Sequence, residues 1–194
     1  MAIKPILFNT EMVRAILDGR KTCTRRLVRF LPGENPQWTG YIRDGLMLYN
    51  GRNEPCIIKV PYQPGDTLYV RETWCGLPVN EAGHMRGHTI YYYKADGEHR
   101  PKGWRGTWHP SIHMPKEAAR IWLKVTDVRV ERLQDMTDDD AEAEGCFDYT
   151  STALGFFDVW DSTIKKSDLN CYGWDANPWV WVIEFERCEK PEGV

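Results

Sequence analysis

The 194-residue chain contains no apolar run approaching the roughly 20 residues that a membrane-spanning helix needs. Its opening stretch, MAIKPILFN, is too short and too soon interrupted for a secretory signal. A soluble, cytoplasmic protein without a membrane partner is therefore expected. No CxxC pair occurs among the six cysteines, Cys23, Cys56, Cys75, Cys146, Cys171 and Cys188, which argues against a zinc ribbon or a redox site. In a reducing compartment these are free thiols by default, although an even count would also permit three disulfides in an oxidising one. Neither an internal repeat nor a low-complexity tract is present, which excludes a repeat array. Strong net charge is missing too: the total is −3, which by itself says little about partners.

What is present is enough apolar material for one core. Hydrophobic residues make up 42% and aromatics 12% of the chain, a length and composition suited to a single domain spanning 1–194. The charge is also unevenly placed. Residues 1–30 carry Lys4, Arg14, Arg20, Lys21, Arg25, Arg26 and Arg29 against Glu11 and Asp18, a balance of +5 in an otherwise acidic chain. Such asymmetry points to an anionic ligand such as a nucleotide or nucleic acid, or else to a solvated basic face.

The order of elements is legible from pattern. KPILFN reads as a short buried strand, and TEMVRAILDG as a helix with Met12, Val13, Ile16 and Leu17 at helical spacing, capped by Asn9 or Thr10 and stopped at Gly19. DGRKTCTRR then reads as a loop leaving the helix C-terminus, where cations complement the dipole. YIRDGLMLY is a hairpin signal turning at Asp44 and Gly45, CIIKVPY a strand, QPGD at 63–66 a tight turn, and TLYVRETW a half-buried strand whose alternation points Glu72 inward. Residues 75–88 are Gly-rich and loop-like, while TIYYYKAD reads as a strand. ARIWLKVTDVRVERLQ is the longest strand signal, with a slip near Thr126 and Asp127 that suggests a bulge or a turn. A helix capped by Thr137 and ended by Gly145 follows, then an amphipathic helix over 151–164 around Leu154, Phe157, Trp160 and Ile164, and WVWVIEFER closes the chain as a strand. This order favours a mainly β, α+β architecture, a small curved β-barrel with peripheral helices.

The pattern Gly19-x-Lys21 followed by Arg26 resembles the GxKxxxxR motif of the ASCH superfamily, a branch of the PUA-like barrels associated with RNA and modified nucleosides. The blocks PILFNTEMVRAILDGRKTCTRR, YQPGDTLYVRETW, WHPSIHMPKEAARIWLKVTDVRVERLQ and NPWVWVIEFER are similar to ASCH-related proteins of bacteriophages and prophages, and together they cover well over half the chain. Relative to compact family members, extra material lies near 31–60 and 75–110. The resemblance to members that hydrolyse N4-acetylcytidine implies catalysis by Lys21, Thr24 and Glu72. The chemistry is coherent, since a threonine hydroxyl attacks an amide only when a neighbouring base removes its proton, and a lysine kept neutral by burial and by nearby cations can be that base. Arg25 and Arg26 would meet a phosphate or the developing oxyanion, and Glu72 would hold the lysine or pass a proton to the departing amine. A nearby Glu72 carboxylate would, however, favour the charged lysine and oppose the arginines, so it must be protonated or face the leaving group.

Other readings of the same residues stand beside this one. Lys21 and Thr24 also suit a plain helix-exit loop, and Glu72 a buried salt bridge to Arg71, Arg26 or another basic residue. Arg71 is a further ligand-binding candidate, and Trp74, Trp104 and Trp108 offer ring faces for a base. Cys23, flanked by arginines, is a possible nucleophile to which the resemblance gives no role. His84 and His88, and His109 and His113, are spaced by four near Cys75 and His99, but Gly83, Gly87 and Pro110 break the helices that would put each pair on one face, so neither metal nor cofactor is expected. The resemblance thus implies a nucleoside- or nucleic-acid-binding protein, with RNA favoured over DNA. It is either an amidohydrolase on a modified base, a non-catalytic binding module, or a ribonuclease using Lys21 and Arg26.

Overall fold

Asn9 accepts a hydrogen bond from the Met12 amide through its side chain and so starts helix α1 (Thr10–Leu17), directly after strand β1 (Ile3–Leu7). The computed structural model describes residues 1–29, 46–49, 55–79, 88–97, 106–146 and 152–193. Gly19, at φ +76°, takes the left-handed conformation that ends α1, and the Arg20 and Lys21 amides both donate to the Ala15 carbonyl. The chain is then turned straight into β2 (Cys23–Leu27). The basic stretch expected to be a loop is therefore half strand, because pairing with the last strand of the chain supplies partners for its backbone.

A five-stranded mixed sheet organises the protein in the order β1, β5 (Thr67–Arg71), β8 (Trp122–Arg132), β9 (Trp179–Cys188), β2. β1 runs parallel to β5 and the other pairs are antiparallel. The expected slip in β8 is a register shift between Val125 and Asp127. Two antiparallel pairs flank the sheet: β3 (Leu46–Tyr49) with β4 (Pro55–Lys59), and β6 (Trp74–Val79) with β7 (His88–Tyr93). Residues 75–79 are thus strand rather than the expected loop, and the turn at Asp44 and Gly45 lies outside the described residues.

The first half of β9, Trp179–Ile183, is wholly apolar for a reason the packing shows. Trp181, Ile183 and Phe185 enter one core with α1, while Val180 and Val182 enter a second with Phe156 and Trp160 of α3 (Thr152–Thr163) and Ala141 of α2 (Asp138–Ala143). Successive strand residues face opposite ways, so a strand covered on both sides reads as a continuous hydrophobic run. A short α4 (Leu169–Tyr172) buttresses α3, whose Trp160 indole donates to the Tyr172 carbonyl at 2.9 Å.

Among the described residues the fold is α+β, and no backbone pairing closes the sheet into the expected barrel. Its edges β1 and β2 nevertheless approach: Arg26 of β2 donates to the Leu7 carbonyl of β1 at 2.7 Å. No helix among the described residues is long and apolar enough to cross a membrane.

Candidate functional site

A cavity of about 160 Å³ opens in the gap between the two sheet edges. Leu7, Phe8 and Asn9 after β1 form one wall, Lys21, Thr24 and Arg26 of the β2 segment another, and Phe156, Val159 and Trp160 of α3 a third, with Glu144 and Cys146 at its side. Pairing within the sheet explains the alternation in KTCTRR. Thr24 and Arg26 sit opposite Ile183 and Trp181 and share the face of the first core, whereas Cys23 and Arg25 sit opposite Glu184 and Val182 on the other. The two faces carry different work.

On the second face Arg25 is a structural cation. Its side chain is fully buried and holds Glu131 at 2.6 Å, with Asp140 at 3.4 Å and Glu144 at 3.5 Å. Cys23 beside it is an inert thiol, pushed up to about 12 by burial and by Glu144, against the smaller opposing effect of Lys21 and Arg25.

The first face holds Thr24 and Arg26, beside Lys21. Lys21 is 3% exposed and Thr24 4% exposed. The Lys21 ammonium donates to Glu144 Oε2 at 2.5 Å and to the Glu144 carbonyl at 2.9 Å. That carbonyl is one of the orphan acceptors at the C-terminus of α2, where a cation is the natural partner. Lys21 Nζ and Arg26 Cζ lie 5.6 and 5.2 Å from the centroid of the same Phe8 ring. Glu144 Oε1 is buried and accepts no hydrogen bond, although Arg25 lies at ion-pair distance from it. Burial holds the Arg26 guanidinium below its usual value, with Glu144 and Tyr62 pulling the other way.

Gly145 makes this approach possible. At φ +91° it ends α2, and a Cβ on it would stand 2.8 Å from the Ala15 Cβ and 3.3 Å from the Lys21 Cβ. The α2 terminus, the α1 exit and the start of β2 are therefore in close backbone contact, and the Thr22 amide donates to the Ala143 carbonyl at 2.8 Å.

Of the residues singled out from sequence, Lys21, Thr24, Arg25 and Arg26 converge here; Glu72, Arg71, Trp74 and Trp108 do not line the cavity. Glu72 does point inward, at 1% exposure, but Arg120 holds both its oxygens, at 2.9 and 3.1 Å. Burial raises its pKa and Arg120 partly offsets that. Arg71 spends its donors on the carbonyls of Met114, at 2.8 Å, and Ile112. Trp74 packs 5.7 Å from Tyr91 and 5.0 Å from His109 in a separate aromatic cluster, and its backbone pairs with His109 beside Trp108. Trp104, His84 and His99 lie outside the described residues. Among the described residues no group of three or more His, Cys, Asp or Glu side chains is placed to hold a metal ion.

Sequence reasoning missed Glu144, because the acids of its helix already had a sufficient cause in the dipole. A signal existed: a helix ending Glu-Gly leaves carbonyls that need a donor, and a buried lysine needs an acceptor. It missed the aromatic wall of α3 because the helix read as ordinary core around Phe157 and Trp160, whereas Phe156 is the buried phenylalanine that lines the cavity. Against known proteins, the chain matches no family model, no curated protein and no solved structure.

Proposed function

We propose that the chain is an ASCH-type, PUA-like protein whose cavity holds a modified nucleobase and hydrolyses an acyl amide on it. The observation that carries this reading is the meeting of an amine, an alcohol and an acid, Lys21, Thr24 and Glu144, in one cavity. Its size is below the roughly 300–1,000 Å³ of drug-sized pockets and favours a single ring with a small substituent. Phe8, Phe156 and Trp160 give that ring apolar surfaces, and Glu144 Oε1 is an acceptor for an exocyclic N–H, the group by which a carboxylate reads cytosine.

The proposed step balances as follows. The proton shared by Lys21 and Glu144 moves to the carboxylate, leaving a neutral amine that takes the Thr24 hydroxyl proton as its oxygen attacks the acyl carbon. The carbon–nitrogen bond breaks, the departing base nitrogen takes the proton from Glu144, and water then cleaves the threonine ester to release the carboxylic acid. Glu144 thus takes the part the resemblance implied for Glu72, and the tension between acid and base becomes a relay between partners already in contact.

A second reading, a site that holds its ligand without catalysis, is favoured by the position of Glu72, bound to Arg120 outside the cavity. Chromatography of N4-acetylcytidine incubated with the protein separates the two. Release of cytidine that drops on the order of 10³-fold or more in Thr24→Ala and survives in part in Thr24→Ser supports hydrolysis. Equal turnover in Thr24→Ala sinks the assignment, and binding without release leaves the ligand-holding site.

A further inference from the structure

Beyond the cavity mouth lies a second, shallower depression of about 300 Å³, and Arg25, Arg26, Trp160 and Thr163 line both. It continues along Leu27 and Arg29 and contains no acidic residue among its described lining. The charge of Arg25 is already engaged by Glu131. Arg26 and Arg29 differ: among the described residues neither forms an ion pair with a carboxylate, and Arg26 uses one of its five N–H donors on the Leu7 carbonyl. Arg29 is exposed. Two guanidinium groups with no carboxylate at ion-pair distance among the described residues therefore flank a groove that shares four lining residues with the base-sized cavity.

Resting on the nucleobase reading of that cavity, we infer that the ligand carries a phosphate ester and that Arg26 and Arg29 bind it in this groove. Planar guanidinium forks match phosphate oxygens in bidentate fashion, and a carboxylate ligand would gain nothing from the neighbouring apolar surface of Trp160 and Leu27, which suits a sugar. The Trp160 indole N–H is committed to Tyr172, so its ring offers a face and not a donor. A ring seated against Phe8 and Glu144 brings its sugar to the mouth and its phosphate to the arginines. A mononucleotide and an internal nucleotide of a strand present this same chemistry.

The test measures dissociation constants for the catalytically silenced Thr24→Ala protein by calorimetry. Its probes are N4-acetylcytidine, its 5′- and 3′-monophosphates, and a short oligoribonucleotide containing one such base, each at low and high salt. At low salt at least one monophosphate binds about tenfold or more tightly than the nucleoside, and the advantage shrinks as salt rises. Arg29→Glu, on an exposed position, and Arg26→Ala each reduce the ratio of phosphorylated to unphosphorylated affinity. A strand is the source if the oligonucleotide binds more tightly still, with a steeper salt slope; a mononucleotide is the source if it does not. Equal affinity for nucleoside and phosphorylated forms, or a ratio untouched by Arg29→Glu, overturns the inference. Cytidine release by the unaltered protein is scored separately: no release with the affinity ratio intact removes hydrolysis and keeps the groove, release with no phosphate advantage does the reverse, and no binding of any probe overturns both.

Discussion

Lys21 Nζ touches Glu144 twice, once through the carboxylate and once through the main-chain carbonyl, across 123 residues of sequence. This contact fastens the start of β2 to the end of α2 and joins two of the three groups that the proposed reaction uses. Stability and chemistry are coupled at this contact, which makes it the natural place to test both.

Removing either partner strands a buried charge. Lys21→Met and Glu144→Gln should each lower the unfolding free energy by about 3–5 kcal/mol. The double variant should lose clearly less than the sum, since neither charge is then left alone. Urea unfolding of the four proteins gives the coupling energy; simple additivity would show that the contact is not energetically real.

Gly145→Ala probes the close approach. Its Cβ enters at 2.8 Å from Ala15 in a left-handed backbone conformation. A loss of about 1–3 kcal/mol is expected, together with reduced turnover because Glu144 is displaced. Thermal unfolding unchanged within error would contradict the geometry.

Glu72 and Glu144 should separate by function. Glu72→Gln weakens a bond to Arg120 away from the cavity, so it lowers the melting temperature but keeps cytidine release from N4-acetylcytidine within about twofold of the parent. Glu144→Gln, assayed at a temperature where it remains folded, loses on the order of 10²-fold or more. The opposite ranking would return the acid's role to Glu72.

Asp66 sets an acid limit on stability. Burial alone would raise its pKa, but the hydrogen bonds from Lys4 at 2.7 Å, the Ala2 amide at 2.9 Å and the Gln63 amide at 3.1 Å, with the Lys4 charge, hold it below the usual 3.8. The native state thus binds fewer protons than the unfolded state in that window. The resulting stability is present above about pH 4 and is lost as the pH falls through the depressed value. Asp66→Asn should cost about 1–3 kcal/mol at pH 7, and its curve of stability against pH should approach the parent's only as the pH falls below the depressed native value.

Thiol reactivity should follow burial. Cys171 is exposed, whereas Cys23 and Cys75 are buried. With a disulfide reagent at pH 8, Cys171→Ser should remove a fast phase and Cys23→Ser should not, because the Cys23 thiol, at about 12, carries almost no thiolate.

The sequence by itself determined the local devices. Asn9 and Thr137 cap their helices, Gly19 and Gly145 end theirs in the left-handed region, and β8 slips near Thr126, because each depends on residues a few positions apart. The resemblance grouped Lys21, Thr24 and Arg26, but only pairing with β9 makes the segment a strand that puts Thr24 and Arg26 on the face of the cavity. Tertiary structure alone decided which acid joins them. Glu72 and Glu144 are both buried carboxylates, and nothing local distinguishes a partner for Arg120 from a partner for Lys21. That choice follows from strand order, which sets β2 beside β9 and carries the end of α2 across to it. Pairing of strands far apart in sequence is governed by which faces must be covered together, a property of the packed whole and not of any window of residues.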